Sequence, residues 1–302
     1  MPTPISPVTY DPVTNEFSPV GERVSVLPQV MWHVTDRCPL RCPYCFASKT
    51  ELDTDIAKLE HVIATFRALG VQKVDIAGGE PLVWRELPTT IHTLVNNSFS
   101  LTLTTSGVGS EANRRWIVDQ AGLFTRIIVS IDGPTNAEHD SLRRFPGAFA
   151  AAGDLINRLH RAEYTSLRIN TVLVKPMNEL ETLKRFAAAI SALRPQEWCI
   201  IQPHPANQKP AFKEFALESA AFLYAIEELT KTAKSEQFTI GRIISRTTGQ
   251  YAGYWVLYPD GVLRRHTVGP EDCAAMSIFE TPIGQMIATI QQYGYVVPMR
   301  SL

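Results

Sequence analysis

The 302-residue sequence has no excess of charge, no long hydrophobic run and few cysteines, and each lack excludes a class of protein. No apolar run approaches the roughly 18 residues of a membrane span, and the N-terminus has neither the basic nor the apolar region of a signal peptide. A net charge of −1 argues against an extended nucleic-acid surface. Five cysteines, three of them clustered, make a poor disulfide framework. We therefore expect a cytoplasmic protein with neither a nucleic-acid nor a membrane partner.

Between residues 29 and 202 the hydrophobic pattern alternates between strands and helices. The predicted strands are 30–35, 73–77, 101–105, 126–131, 166–174 and 198–202, and the helices between them are 55–69, 87–96, 111–120, 147–160 and 180–193. Such alternation is typical of parallel strands joined by right-handed crossovers. Because six units are too few for the usual eight-stranded barrel, the sequence predicts an α/β fold containing a partial (β/α)6 barrel of parallel strands.

Two shorter segments flank this barrel unit. Residues 1–28 are rich in proline and predict a short N-terminal arm, with a hairpin near Thr14 and Asn15. Residues 203–302 predict a C-terminal helix–hairpin–helix extension, with helices at 215–234 and 283–293 and a hairpin turn at Pro259-Asp260-Gly261. The expected division is therefore an arm at 1–28, a barrel at 29–202 and an extension at 203–302 that covers the barrel mouth.

Three cysteines, Cys38, Cys42 and Cys45, lie close together after the first barrel strand. Thiolates hold iron–sulfur clusters, which normally have four of them. Three close thiolates with no obvious fourth indicate a cluster with one iron open to another ligand. The alternative is a zinc knuckle that uses His33 or a distant ligand, although structural zinc sites usually pair two knuckles and no second one is present.

Polar or glycine-rich turns follow three other predicted strands. These turns are Gly78-Gly79-Glu80-Pro81, Thr105-Ser106-Gly107 and the stretch from Ser130 to Pro134. The carboxyl ends of parallel strands meet at one rim of a sheet, where ligands gather. We therefore expect these turns and the cysteine loop to converge although they are scattered in sequence.

The cysteine spacing, the aromatic Tyr44 before the third cysteine and the Gly78-Gly79-Glu80-Pro81 turn together resemble the radical S-adenosylmethionine (SAM) superfamily. The resemblance implies that Cys38, Cys42 and Cys45 hold a [4Fe–4S] cluster whose open iron binds SAM. It also implies a one-electron reductant such as flavodoxin or ferredoxin, reductive cleavage of SAM, and a 5′-deoxyadenosyl radical that removes hydrogen from the substrate.

The same resemblance implies a set of residues around SAM. Gly78, Gly79 and Glu80 would meet its methionyl amine, and Arg143 would pair with its carboxylate. The other implied SAM contacts are Tyr44, Ser106, Ser130 and Asn170. The structural alternatives are an ordinary capped turn for the strand-end residues, a solvated basic pair for the arginine, and satisfied core polar groups for the rest.

Two further side chains are candidates for catalysis. Asp132 follows the fourth barrel strand, where an Asx-turn before Gly133 is the structural alternative. His204 follows the sixth strand and is the best acid–base candidate. Cys199 is expected to be a small core residue and Cys273 an ordinary thiol.

The substrate is the least determined part of the prediction. Phe46, Lys49 and the Asp260-Gly261 hairpin are similar to the viperin-like branch of the family, which acts on nucleotides, and the molybdenum-cofactor branch shares much of the layout. We expect hydrogen abstraction from a small molecule that is nucleotide- or sugar-like. Modification of a ribosomally made peptide is the second hypothesis, and a non-catalytic zinc- or cluster-binding module is the third.

Overall fold

The structure is a computed structural model that describes residues 9–11, 16–18, 25–45, 47, 50–203, 212–235, 240–244, 254–266 and 274–293. The strands in this part of the chain are β1 (Thr9–Asp11), β2 (Glu16–Ser18), β3 (Gln29–His33), β4 (Lys73–Ala77), β5 (Ser100–Thr105), β6 (Arg126–Ser130), β7 (Leu167–Val172), β8 (Glu197–Ile201), β9 (Ile240–Ile244), β10 (Tyr254–Leu257), β11 (Val262–His266) and β12 (Ala275–Ser277).

The helices run between these strands. They are α1 (Leu59–Ala68), α2 (Leu87–Asn96), α3 (Glu111–Asp119), α4 (Asn136–Arg143), α5 (Ala148–Arg161), α6 (Leu180–Ala192), α7 (Phe212–Phe215), α8 (Ser219–Ser235) and α9 (Ile283–Tyr293), with short 3₁₀ turns at Ile56–Lys58, Pro81–Val83, Ala121–Leu123 and Lys175–Met177. Side chains cap the N-termini of several helices. The Ser110 hydroxyl accepts a hydrogen bond from the Asn113 N–H at the start of α3, and the Thr135 hydroxyl caps α4 in the same way. None of these described helices is long and apolar enough to cross a membrane.

One sheet organises the described chain. Its strand order is β12-β11-β10-β3-β4-β5-β6-β7-β8-β9, and β1 and β2 form a separate antiparallel pair as predicted for the arm. Each of β3 to β8 pairs in parallel with the next strand in sequence, and β10 joins the other side of β3, also in parallel. The predicted α/β architecture of parallel strands is therefore confirmed.

The C-terminal residues extend this sheet at both ends. The predicted hairpin is present as β10 and β11, which pair antiparallel, and β12 adds to the β11 side. At the opposite end β9 pairs with β8. The strands β9 and β12 and the helix α4 were not predicted, because short segments of this kind carry too few residues for a clear hydrophobic period.

The two faces of the sheet differ in chemistry. One face packs on the helices through fully buried apolar side chains such as Val74, Leu103 and Val129. Because successive residues of a strand point to opposite faces, the residues between them form the other face, which we call the inner face. Its residues include Asp75, Thr102, Thr104, Ser130 and Asn170.

Candidate active site

The cysteine loop lies at the carboxyl end of β3, in the connection to α1. Cys42 is buried, whereas Cys38 and Cys45 are partly exposed, and none of the three forms a disulfide. The loop is tied to the end of α4: the Arg41 N–H donates to the Arg143 carbonyl at 3.0 Å, and the Cys42 sulfur lies 3.9 Å from the same oxygen. The last carbonyls of a helix have no partner within it, so the loop satisfies one of them.

Asp132 is the centre of a buried hydrogen-bond network behind this loop. Its side chain has no exposed surface. Its Oδ2 accepts the Tyr44 hydroxyl at 2.6 Å and lies 2.7 Å from Nη2 of Arg143, and its Oδ1 accepts the Val172 N–H at 2.8 Å. Asp132 therefore joins the cysteine loop, α4, β6 and β7 at one carboxylate.

His139 supports this carboxylate from α4 and was not singled out by the sequence. Its Nδ1 accepts the backbone N–H of Asp132 at 3.0 Å. Burial, and secondarily the charge of Arg143, lowers the pKa of His139 to about 2, so the ring is neutral. A neutral ring that accepts at Nδ1 carries its proton on Nε2. The only sequence signal was the spacing of seven residues between Asp132 and His139. Because α4 begins at Asn136, its first turn brings His139 back to the Asp132 backbone.

The same environment affects the two loop residues that face it. Burial raises the pKa of the Cys42 thiol, an effect that the nearby Arg143 charge partly opposes. Burial, with the negative charge of Asp132, raises the pKa of Tyr44 well above its usual value. Tyr44 is therefore a neutral hydrogen-bond donor, and its ring lies 5.7 Å from that of Phe215 between centroids.

The two glycines after β4 allow the backbone of that turn to pack directly against the start of the cysteine loop. The Gly79 N–H donates to the Thr35 carbonyl at 2.7 Å, and the Glu80 N–H to the Arg37 carbonyl at 2.9 Å. A Cβ atom on Gly78 would lie 2.3 Å from the Thr35 oxygen, and one on Gly79 would lie 2.3 Å from the Arg37 oxygen. No side chain fits such a gap, so the glycines fix the position of the loop relative to the sheet.

The Glu80 side chain turns away from the cysteine loop and toward the end of β5. It is 1% exposed. Its oxygens accept the Thr105 hydroxyl at 2.5 Å, the Leu82 N–H at 3.0 Å, and both the N–H (2.7 Å) and the hydroxyl of Ser106. Burial raises the pKa of this carboxyl, and the four hydrogen bonds act in the opposite direction. Ser106 and Glu80 thus hold two neighbouring strand ends together.

Ser130 and Asn170 occupy the inner face directly opposite each other in the β6–β7 register. Oδ1 of Asn170 is enclosed and accepts no hydrogen bond from the described part of the chain. Nε of Arg143 is likewise enclosed without an acceptor there. Polar atoms of this kind normally have a partner. Asn170 lies beside Ser130, the last residue of β6, which is the end of the sheet where parallel strands bind ligands, and Arg143 ends α4, which follows β6 in the chain.

The structure thus brings together most of the residues that the sequence predicts for the site. Cys38, Cys42, Cys45, Tyr44, Asp132 and Arg143 share the cysteine-loop region, and Gly78, Gly79, Glu80, Ser106, Ser130 and Asn170 lie on adjoining strand ends. His204, Phe46, Lys49 and Cys273 lie outside the described residues. The roles assigned to the individual residues remain predictions.

The residues present fit a thiolate-held cluster with a second ligand beside it. As they stand, no three Cys, His, Asp or Glu side chains within the described ranges are grouped closely enough to hold a metal ion. Thiolate sites are completed by the metal, since binding deprotonates the ligands and draws them together. Three thiols outside any disulfide on one anchored loop are suitable donors, and Asn170 Oδ1 and Arg143 Nε are buried polar atoms without a partner among the described residues.

Comparison with known proteins gives a consistent result. The family model described as the radical SAM superfamily matches residues 32–187, more than half of the chain. An S-adenosylmethionine-dependent nucleotide dehydratase from Lacinutrix mariniflava is 28% identical over 218 residues, which is 66% of this chain and 44% of that protein. A GTP 3′,8-cyclase from Bradyrhizobium diazoefficiens is 35% identical over 182 residues, 56% of this chain and 51% of that protein. The matched segment thus spans about half the length of these two relatives.

Solved structures agree on the fold. Streptococcus suis SuiB, in a crystal structure bound to S-adenosylmethionine, superposes with a TM-score of 0.66 at 14% identity. The superposition covers 87% of this chain and 64% of that one. At this identity the likeness concerns the fold alone.

Proposed function

Because this chain belongs to the radical SAM superfamily, we propose that it abstracts hydrogen from a nucleotide substrate. The cofactors of the family are a [4Fe–4S] cluster and SAM. When bound, they supply a 5′-deoxyadenosyl radical by reductive cleavage of SAM, with the electron coming from a one-electron donor such as flavodoxin or ferredoxin. The observation that carries the proposal is the anchored loop at the carboxyl end of β3, whose three cysteines form no disulfide, within the segment that matches the family.

Two relatives support the substrate class. Their names state that one acts on a nucleotide and the other on GTP. They were found by sequence similarity rather than by fold alone, and the GTP 3′,8-cyclase match is 35% identical over 182 residues. The proposal transfers from them only the class of substrate, a nucleotide, and not the product.

In this proposal Cys38, Cys42 and Cys45 hold the cluster, and the buried network fixes the loop that carries them. The Arg143 carbonyl holds the backbone at Arg41 and lies against the Cys42 sulfur. Tyr44 donates its hydroxyl hydrogen to Asp132, which fixes the residue between Cys42 and Cys45. A loop held at several points loses little further conformational entropy when it binds its ligands.

The strand-end residues would orient SAM. Asn170 Oδ1 and the Ser130 hydroxyl lie side by side on β7 and β6, where they suit the hydroxyl or amino groups of the ligand. Arg143 already pairs with Asp132 through Nη2 and retains Nε as an unpaired donor for a carboxylate. The Glu80 oxygens already accept hydrogen bonds from Thr105, Ser106 and Leu82. We therefore propose that Glu80 contributes to SAM binding by positioning the backbone of the Gly78-Gly79 turn.

The proposal is tested by anaerobic reconstitution with iron and sulfide, followed by reduction in the presence of SAM. We expect 5′-deoxyadenosine to form, and deuterium to pass into it from a ribose-deuterated nucleotide. Cys42→Ala should abolish cluster loading because two thiolates do not hold the cluster, whereas Cys199→Ala, at a fully buried cysteine of β8, should load iron like the wild type.

Other outcomes identify the competing hypotheses. Equal iron content in Cys42→Ala and wild-type protein would contradict the cluster assignment. Stoichiometric zinc with no SAM cleavage would favour the non-catalytic module. Deuterium transfer from a labelled peptide, with none from any labelled nucleotide, would favour peptide modification.

A further inference from the structure

Asp75 is a buried acidic residue on the inner face that neither the cluster nor the SAM site uses. It lies on β4, three residues before Gly78, and is 8% exposed. Its neighbours along the strand, Val74 and Ile76, are fully buried against the helices. The interior of a (β/α) barrel is normally filled by branched apolar side chains, so a carboxyl at this position is not explained by packing.

The hydrogen bonds of Asp75 leave one of its oxygens available. Oδ1 accepts the Thr102 hydroxyl at 2.7 Å and lies 3.4 Å from the Thr104 hydroxyl oxygen, both on the neighbouring strand β5. Oδ2 accepts no hydrogen bond from the residues described, and it is not among the oxygens sealed off from solvent. The two threonines therefore orient the carboxyl and leave Oδ2 without a hydrogen-bond donor among the described residues.

A flat aromatic surface lies close to this carboxyl. The rings of Tyr254 and His266 stack with centroids 5.6 Å apart and an angle of 17° between their planes. Met31 of β3 pairs with Asp75 on one side and with Val256, two residues after Tyr254, on the other, so Tyr254 and Asp75 lie on the same face of the sheet. Burial, and next to it the charge of Asp75, raises the pKa of the Tyr254 hydroxyl. Tyr254 comes from β10, which lies on the far side of β3 from β4, so the ring and the carboxyl border the same space from two strands.

The cations whose charge acts on Asp75 are Lys73, two residues earlier on β4, and next to it Arg168 on β7. Arg126 and Arg168 both pair with Glu197, at the first residues of their strands. Arg143 pairs with Asp132. A phosphate next to Asp75 would meet the negative charge of the carboxylate, and like charges at short range are unfavourable.

We propose that Asp75 is a specificity-determining residue that accepts a hydrogen bond from the exocyclic amino group of a nucleobase. This inference rests on the proposed nucleotide substrate and adds which part of it the inner face recognises. An aromatic plane for stacking and a carboxylate for an amino group are the two contacts by which proteins read an unpaired base. The triphosphate would then lie away from Asp75.

The experiment measures binding of nucleotide pairs that differ in one amino group. CTP is compared with UTP, and ATP and GTP with ITP, by anaerobic calorimetry on the reconstituted protein with SAM present. For at least one pair we expect the wild type to bind the amino-bearing nucleotide about tenfold or more tightly, since losing a hydrogen bond to a charged group leaves that group unpaired. In Asp75→Asn, whose amide donates as well as accepts, the ratio should fall to about threefold or less.

Thr102→Val provides a second, independent variant. It removes the hydroxyl that orients Oδ1 and keeps the charge, so it should reduce the ratio by less than Asp75→Asn does. This variant also decides the question if Asp75→Asn does not fold, because an unchanged ratio in Thr102→Val would then count against the inference.

The failures of the two proposals are distinguishable. Binding of the nucleotides without discrimination, preference for UTP or ITP, or an unchanged ratio in Asp75→Asn would overturn the role of Asp75 and leave the nucleotide class intact. If none of the nucleotides binds the wild type, the proposal of a nucleotide substrate is contradicted, and the role of Asp75 is contradicted with it.

Discussion

The Asp132–Arg143 pair gives the sharpest test of how the cysteine loop is held. The pair is 2.7 Å long, with Asp132 fully buried and Arg143 13% exposed on its side chain. Replacing Asp132 with Asn keeps the volume but leaves the guanidinium charge without its partner. Removing one member of a buried pair costs 3–5 kcal/mol, and the residual exposure of Arg143 favours the lower end, about 3 kcal/mol.

The expected effect is large enough to measure in two ways. Unfolding entropy of about 2.1 cal/mol/K per residue gives about 0.63 kcal/mol/K for 302 residues. A loss of about 3 kcal/mol therefore lowers Tm by about 5 °C and should appear as a matching drop in the urea midpoint at unchanged slope. Asp119→Asn, an exposed acid outside any described ion pair, is the control and should change stability by less than about 0.5 kcal/mol.

A double-mutant cycle isolates the pair itself. Asp132→Asn combined with Arg143→Met removes both charges, and replacing a buried ion pair with neutral groups is often close to neutral. We therefore expect the double variant to be more stable than Asp132→Asn alone, with a coupling energy of about 2 kcal/mol. The reasoning is refuted if Asp132→Asn costs less than about 1 kcal/mol or if the two substitutions are simply additive.

Three further predictions address the supports of the site. Gly78→Ala should destabilise the protein by several kcal/mol, because φ at this residue is +144° and the new Cβ would lie 2.3 Å from a backbone oxygen. Gly153 has no neighbouring atom within contact distance of an added Cβ, so Gly153→Ala should not destabilise the protein, and urea titration of both variants checks the difference. Glu80→Gln should cost about 2 kcal/mol, because an amide nitrogen would face the Ser106 N–H or the Thr105 hydroxyl, and an unchanged urea midpoint would contradict it. His139 binds a proton more weakly in the folded protein (pKa about 2) than in the unfolded chain, so its contribution to stability should fall as pH drops below 6.5, by about 2 kcal/mol at pH 5. Burial also lowers the pKa of His33 to about 3, which gives a slope of the same sign, so His139→Gln should reduce the slope without abolishing it, and an unchanged slope would refute the reasoning.

Local patterns in the sequence predicted the parts of the site whose residues lie close together in the chain. The three cysteines share one loop, and Gly78-Gly79-Glu80-Pro81 follows a strand with a regular apolar pattern. The parallel strands followed from the alternation of strand and helix, because short connections constrain such units to one topology. These features depend on neighbours a few residues apart, which periodicity and spacing report directly.

The partners of Glu80 show where local reasoning ends. The resemblance to the radical SAM family predicts Glu80 near SAM, and the structure adds that its oxygens accept hydrogen bonds from residues at the end of β5, up to 26 positions away. The two glycines have a structural reason of their own, which is contact with the Thr35 and Arg37 carbonyls. Neither contact leaves a periodic signal in the sequence.

The sequence by itself therefore determined the parallel α/β sheet, the loop of three thiols and the family of the protein, because all three can be recognised from the spacing of residues that lie close together in the chain. Only the tertiary structure decided that Asp132 accepts a hydrogen bond from Tyr44, 88 positions away, that Arg143 lies against Cys42 from 101 positions away, and that Tyr254 and Asp75 share the inner face on either side of β3. Contacts between distant residues depend on strand order and register, and a buried charge can be told from an exposed one only when its partners are in place.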